Sequence, residues 1–255
     1  MKVKLTDSKG QTQNQTQWGE GVTHRATGEG TDMCTDNVIH YYESPEIAIF
    51  ANPIHANYNK DMMLMWEFKP EHKINHDGLK SACKEGTTIR QVPIPSITTE
   101  QRVAAAIKIA LLTYNDERFV DWAEKWLSGE NRSAGAAKAA RNAAWADETT
   151  AWATAAMAAK AAMAAAKNKG AEVTRATAAT AAMAAKEAVE TAGASGTTFQ
   201  SKLQTILEKV EVLYGKNQNK RAVETAGASG TTFQSKLQTI LEEVLYGKKQ
   251  NKREE

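Results

Sequence analysis

The chain has 255 residues, of which 42% are hydrophobic and 24% charged, with a formal net charge of +2. Its densest apolar run, residues 103–112, is broken by Lys108 and is about half as long as a membrane span requires. Met1-Lys2-Val3-Lys4-Leu5-Thr6-Asp7 turns polar before the apolar stretch of an export signal can form. Cys34 and Cys83 are therefore read as reduced thiols in a cytoplasm. The near-balance of charge hides an asymmetry. Residues 1–129 hold 14 Lys and Arg against 17 Asp and Glu, whereas residues 130–255 hold 18 against 13. A polyanion partner is permitted for the second half but not demanded.

Residues 1–95 read as short strands and turns with one brief helix. Lys2–Leu5 alternates and runs into the turn signal Asp7-Ser8-Lys9-Gly10. Residues 62–69 and 88–93 are further strand candidates, rich in large apolar and β-branched side chains. Between them, Ser44-Pro45-Glu46 supplies an N-cap, a proline for the first helical position and an acid for the first turn. That helix is predicted to stop before Asn52-Pro53.

Two firmer helices follow. Thr98 and Gln101 form a capping box ahead of an apolar segment reaching about Leu112. Asn115 or Asp116 opens the next helix, whose Phe119, Trp122, Ala123 and Trp126 make one apolar face, with Gly129 as its stop. These helices are predicted to close the N-terminal domain, residues 1–129, with both tryptophans inward.

Between residues 134 and 194, 30 of 61 residues are alanine, the best helix former because it loses no side-chain entropy. A break at Asn168-Lys169-Gly170 predicts antiparallel arms over 134–167 and 171–190, a hairpin or stalk spanning 130–190. A helix of roughly 30 residues reaches about 45 Å. The thin seam of Trp145, Trp152, Met157, Met163 and Met183 implies that these arms need each other, or a second copy, as a helical bundle or coiled coil.

Residues 191–255 are a tandem duplication. Ala188–Glu208 recurs unchanged as Ala222–Glu242, an offset of 34, defining units 188–221 and 222–253. Each has a Gly-Ala-Ser-Gly segment, a capping box and an apolar helix face. The faces carry Phe199, Leu203, Ile206 and Leu207 in the first copy and Phe233, Leu237, Ile240 and Leu241 in the second. These are the candidate interaction residues. Two copies are too few for a solenoid, and the Trp-Leu-Gly-Tyr signature of the 34-residue helical repeat is absent.

The chemistry-bearing residues concentrate in the first domain: His24, His40, His55, Cys34 and Cys83, with Tyr41 and Tyr42 beside His40. No C-x-x-C, H-x-x-H or H-E-x-x-H spacing occurs, so no metal site and no cofactor are expected. Cys34 with His40 or His55 as a nucleophile pair has nothing to lower either thiol's pKa. Gly19-Glu20-Gly21 and Gly28-Glu29-Gly30 match no phosphate-binding loop and read as turn glycines. The basic runs 216–221 and 248–253 lack interleaved aromatics, so they suit helix ends and nucleic acid is not expected as a partner. Threonines 174, 177 and 180 are three apart, which does not fit the eleven-residue threonine spacing of helical ice-binding proteins.

Two resemblances complete the reading. His24-Arg25-Ala26-Thr27 followed by Ile39-His40-Tyr41-Tyr42 resembles the layout of small NAD-binding ADP-ribosyltransferases, which place a His and a Tyr on neighbouring strands. A wider likeness is carried by residues 17–24, Cys34-Thr35-Asp36, residues 39–42, Asn52-Pro53-Ile54-His55-Ala56, Gly78-Leu79-Lys80, residues 98–103 and Trp126-Leu127-Ser128-Gly129. Together they resemble a family of bacteriophage and prophage proteins with a small N-terminal domain and alanine-rich helices of variable length. That resemblance covers about residues 1–165 and implies action inside a bacterial host, in its cytoplasm or associated with the virion. It assigns no catalytic residues.

The expected fold class is α+β: a small mixed or antiparallel sheet closed by two helices, then an all-α tail. The leading functional expectation is a non-enzymatic accessory protein that meets a host or virion protein, or itself, through the tail, with no membrane contact. The alternative is a nucleotide-binding or ADP-ribosyltransferase-like N-terminal domain, with His24, His40 and Tyr42 as its catalytic candidates.

Overall fold

Alternation at the start of the chain produces the first strand, β1 (Val3–Thr6). The structure, a computed structural model, describes residues 1–192 apart from 34, 60, 147–151 and 168–170, together with residues 205–206. Two long strands dominate the sheet, β4 (Leu64–His76) and β5 (Ser81–Gln91). Each extends well beyond the short segment its apolar residues predict, because the outer halves are polar and half-exposed and pair all the same. Their turn is built by Asp77, whose Oδ1 accepts from the backbone N–H of Leu79 (3.0 Å) and Lys80 (2.8 Å), while Gly78 takes φ +82°.

β1 pairs with one edge of β4. The shorter strands β2 (Thr23–Arg25) and β3 (Ile39–Tyr41) share the far edge of β5, β2 opposite residues 85–87 and β3 opposite 81–83. Val3 and Tyr42 then exchange both backbone hydrogen bonds, at 2.9 and 2.8 Å, which brings β3 back to β1. The sheet curls into a ring, β1–β4–β5–β3, leaving few unpaired edges. Every described pairing is antiparallel. The strands share a small cluster of their own: Trp18, Ile39, Tyr41, Phe68 and Cys83. Glycine is required at 86 because a Cβ there would overlap the Phe68 ring.

The helix signals act locally as the sequence predicts. Helix α1 (Pro45–Ala51) is capped by Ser44, whose Oγ accepts from Ile47 N, and a 3-10 turn carries the chain on through Asn52–Ile54. Helix α2 (Thr99–Ala110) has both halves of the Thr98–Gln101 capping box, at 3.2 and 2.7 Å. Helix α3 (Glu117–Ser128) starts at Asp116 and ends on Gly129 at φ +86°, with Phe119, Trp122 and Trp126 buried.

Two expectations for the second half are corrected. The arm predicted over 134–167 is two helices, α4 (Ala134–Trp145) and α5 (Trp152–Lys167). Helix α4 stops at Trp145 with Ala146 as its C-cap, and α5 packs back against it; residues 147–151 lie outside the described residues. Helix α6 (Ala171–Ala192) follows and already contains the first residues of the duplicated unit.

Nor do the alanine-rich helices stand off as a stalk beyond residue 129. Buried residues from Val3 to Ala188, with Ile206, form one continuous core. The physical reason lies in α2, where every residue from Gln101 to Ala110 is buried. A helix buried on all sides needs cover on the side away from the sheet. The alanine faces of α5 and α6 supply that cover, since small side chains let helix axes approach to about 8 Å. The Arg102 guanidinium enters the core and donates to the carbonyls of Ile49 (2.9 Å) and Phe50 (3.1 Å) at the end of α1. Burial lowers its pKa to about 10, so it stays charged at neutral pH.

The described residues thus form an α+β fold. Among them, no helix is long and apolar enough to cross a membrane. Of the candidate interaction residues, Ile206 is 1% exposed and belongs to the core, so it is not presented to a partner. Phe199, Leu203, Leu207, Phe233, Leu237, Ile240 and Leu241 lie outside the described residues, as does the Asn168–Gly170 break.

Candidate functional site

The strand ends, the β4–β5 turn and α6 surround a cleft of about 820 Å³. That is within the range of small-molecule sites, roughly 300–1,000 Å³. All three candidates named from the sequence, His24, His40 and Tyr42, line it, and His55 joins them. The sheet explains the convergence. His24 lies opposite Gly86 and His40 opposite Ala82, four residues apart along the same edge of β5. At about 3.3 Å per residue the two backbones are about 13 Å apart. They enter the cleft from two different points along β5.

At the His24 end, Nε2 lies 2.6 Å from the Gln17 carbonyl, so that nitrogen carries the proton and donates. The imidazole meets Trp18 edge-on at 4.6 Å between centroids, and Trp18 is anchored by its own Nε1–H to Thr12 Oγ1 at 3.1 Å. Beneath this end sits Lys4 on β1. Its ammonium donates to the His40 carbonyl at 2.9 Å and stands 4.4 Å above the Trp18 ring. Burial lowers the Lys4 pKa to about 8.

At the other end, Tyr42 OH and His55 Nδ1 are 3.5 Å apart with their rings stacked. Asp77 Oδ2 lies 3.8 Å from His55 Nε2 and 4.0 Å from Lys80 Nζ. Burial, then the positive charges of Lys80 and Lys4, lowers the His40 pKa to about 4. Burial also lowers that of His55, which outweighs the opposing pull of Asp77. Both imidazoles are neutral at pH 7, so the His55–Asp77 contact is not an ion pair there. The lining then carries Lys4, Arg25, Lys80 and Lys186 against Asp36 and Asp77, a positive excess among the lining residues, with Glu85 3.8 Å from Arg25 and Glu190 3.5 Å from Lys186 beside it.

One wall is a loop held by a single cation. Lys84 on β5 donates to the carbonyls of Gly28 (2.7 Å), Gly30 (2.7 Å) and Asn37 (2.9 Å). A Cβ on Gly28 or Gly30 would run into the Asn37 side chain. The Gly-Glu-Gly motif is thus loop architecture, and the loop it shapes contributes Thr27, Thr35 and Asp36 to the cleft.

Cys83 is fully buried beside β3 and burial pushes its pKa up to about 11, while Cys34 lies outside the described residues. Among the described residues no group of three His, Cys, Asp or Glu is disposed to hold a metal ion. Sequence reasoning did not single out Lys4, Trp18, Lys80 and Lys186 as site residues, although Trp18 and Lys80 fall in segments that carry the phage-family resemblance; the four meet through topology. Comparisons with protein-family models, curated proteins and solved structures find no match to this chain.

Proposed function

We propose that this is a non-enzymatic accessory protein whose sheet domain binds a small anionic molecule of the nucleotide type. The observation that carries the reading is the convergence of His24, His40, Tyr42 and His55 with Trp18 and a positive excess of charge on one cleft. Trp18 and the imidazoles suit a ring, and the lysines suit phosphate. A transfer reaction run by His24 and His40 together would need both beside one reacting atom, and their spacing of about 13 Å along β5 does not favour it. Sequestering or sensing a ligand needs no such pairing.

A protein-interaction role for the helical half is favoured by Trp145. It is 64% exposed and packed edge-on against Trp152, an aromatic pair on the outer helices. In this reading the alanine-rich region continues as an all-α tail through the duplicated units, which meet a host or virion protein or a second copy. The phage-family resemblance supports action in the cytoplasm of a bacterial host.

Isothermal titration of the full chain with ATP and with NAD tests the ligand reading. Micromolar binding by one of them, lost in His24→Ala and His40→Ala with thermal stability retained, is the expected result. Absence of heat with both sinks it.

A further inference from the structure

The cleft is not confined to the sheet domain. Helix α6, from the alanine-rich region, contributes Met183 and Lys186 to its lining. Two contacts fix the helix there. Arg175 donates to Asn57 Oδ1 at 2.7 Å beside the 3-10 turn. Val189 packs on the β4–β5 turn, against Gly78. Lys186 lies close enough to His55 to act on its charge state, and pairs with Glu190 at 3.5 Å on its own helix. Lys186 and Lys80 therefore bring ammonium groups from two distant parts of the chain to the end of the cleft that holds Asp77 and His55.

We infer that Lys186 completes a phosphate-binding end of the cleft with Lys80, so that ligand binding holds α6 against the sheet domain. The inference rests on the nucleotide reading above and adds a coupling to it. The buried face of α6 is Thr177, Ala178, Ala181, Ala182, Ala184, Ala185 and Ala188. Each methyl buries little area, so α6 is attached by many small contacts and no large one. An element of that kind opens locally more readily than a leucine-packed helix. A ligand that contacts both sides binds the closed state better than the open one, and it suppresses opening by mass action. The ligand state of the sheet domain thereby sets how firmly α6 is held.

The test uses the full chain with ATP as the probe. Hydrogen exchange of the α6 amides is followed with and without ATP, and affinity is measured for wild type, Lys186→Ala and Lys160→Ala. At saturation the α6 amides exchange about tenfold more slowly or better. Lys186→Ala weakens binding about fivefold and removes most of the added protection, as expected for one half-exposed phosphate contact. Lys160→Ala, on the exposed side of α5, changes neither. Equal ATP binding by wild type and Lys186→Ala with unchanged α6 exchange overturns the coupling and leaves the cleft reading standing. No binding of ATP, or of NAD put in its place, by either protein overturns both.

Discussion

Gly78 lies so close under Val189 that a Cβ on the glycine would stand 2.6 Å from both methyl carbons of the valine. The turn of the β4–β5 hairpin and the last turns of α6 are thus in direct contact across 111 residues of chain. Gly78→Ala meets two obstacles, the clash and a backbone at φ +82° that alanine adopts poorly. We expect a loss of about 2 kcal/mol in urea denaturation, with faster hydrogen exchange in α6. Adding Val189→Ala relieves the clash and not the backbone strain. The double mutant recovers part of the loss, a coupling of about 1 kcal/mol. Simple additivity would show that the two residues do not bear on each other.

Lys84 makes a second, sharper claim about the cleft wall. Its ammonium satisfies three carbonyls of one loop, and replacement by methionine keeps the stem while removing every donor. Leaving those carbonyls without a charged donor costs about 2 kcal/mol. Because Thr27, Thr35 and Asp36 sit on that loop and line the cleft, ligand affinity falls as well as stability. Lys84→Arg does not restore either, since a planar fork cannot direct its donors at three carbonyls as a tetrahedral ammonium does. A methionine variant with wild-type stability would remove Lys84 from this role.

The helices were legible because their signals are local. Ser44, the Thr98–Gln101 box, Asp116 and Gly129 each act within a few residues of themselves. The sheet was legible only at its apolar segments. β2 and β3 are three residues each, too short for a period, and the polar halves of β4 and β5 are held by pairing rather than by burial. Asp77-Gly78 is a hairpin signal that marks the missing turn. His24, His40 and Tyr42 were identifiable as types. That they share a cleft with Lys4, Lys80 and Lys186 depends on ring closure and on the seat of α6, both contacts between residues far apart in sequence. The stalk failed for a related reason. The composition of residues 134–194 says helix, but only α2, buried all round, says where those helices go.

Acid should loosen the cleft before it unfolds the rest. His40 is held neutral with its pKa lowered to about 4, and His55 is lowered too, both by burial first. Unfolded histidine titrates near 6.5. Between pH 6.5 and 4 the unfolded chain therefore binds more protons than the folded one, and stability rises with pH. The contribution is fully present above about pH 6.5 and is lost as pH falls toward 4. After allowance for solvent screening it is on the order of 2 kcal/mol for the pair. His40→Gln, which cannot titrate, flattens the slope of stability against pH in that window. An unchanged slope would mean that His40 is solvated as an ordinary surface histidine.

Cys83 reports on the closure of the ring. It is fully buried and pairs opposite Ile39, whose carbonyl accepts its S–H at 3.6 Å. With its pKa raised to about 11, about one thiol in a thousand is ionised at pH 8, and the thiolate is the species that alkylates. In a Cys34→Ser background, iodoacetamide should therefore label Cys83 at least 100-fold more slowly than an unfolded-chain thiol. Release requires β3 to leave β5, and β3 is held at its end by the paired Val3–Tyr42 hydrogen bonds. Val3→Pro removes the N–H that donates to the Tyr42 carbonyl. If the ring is the barrier, this variant labels Cys83 faster in the absence of urea, at a protein concentration where its far-UV spectrum is still native. Labelling that stays slow until global unfolding would place the barrier in the core, with the β1–β3 contact contributing nothing to it.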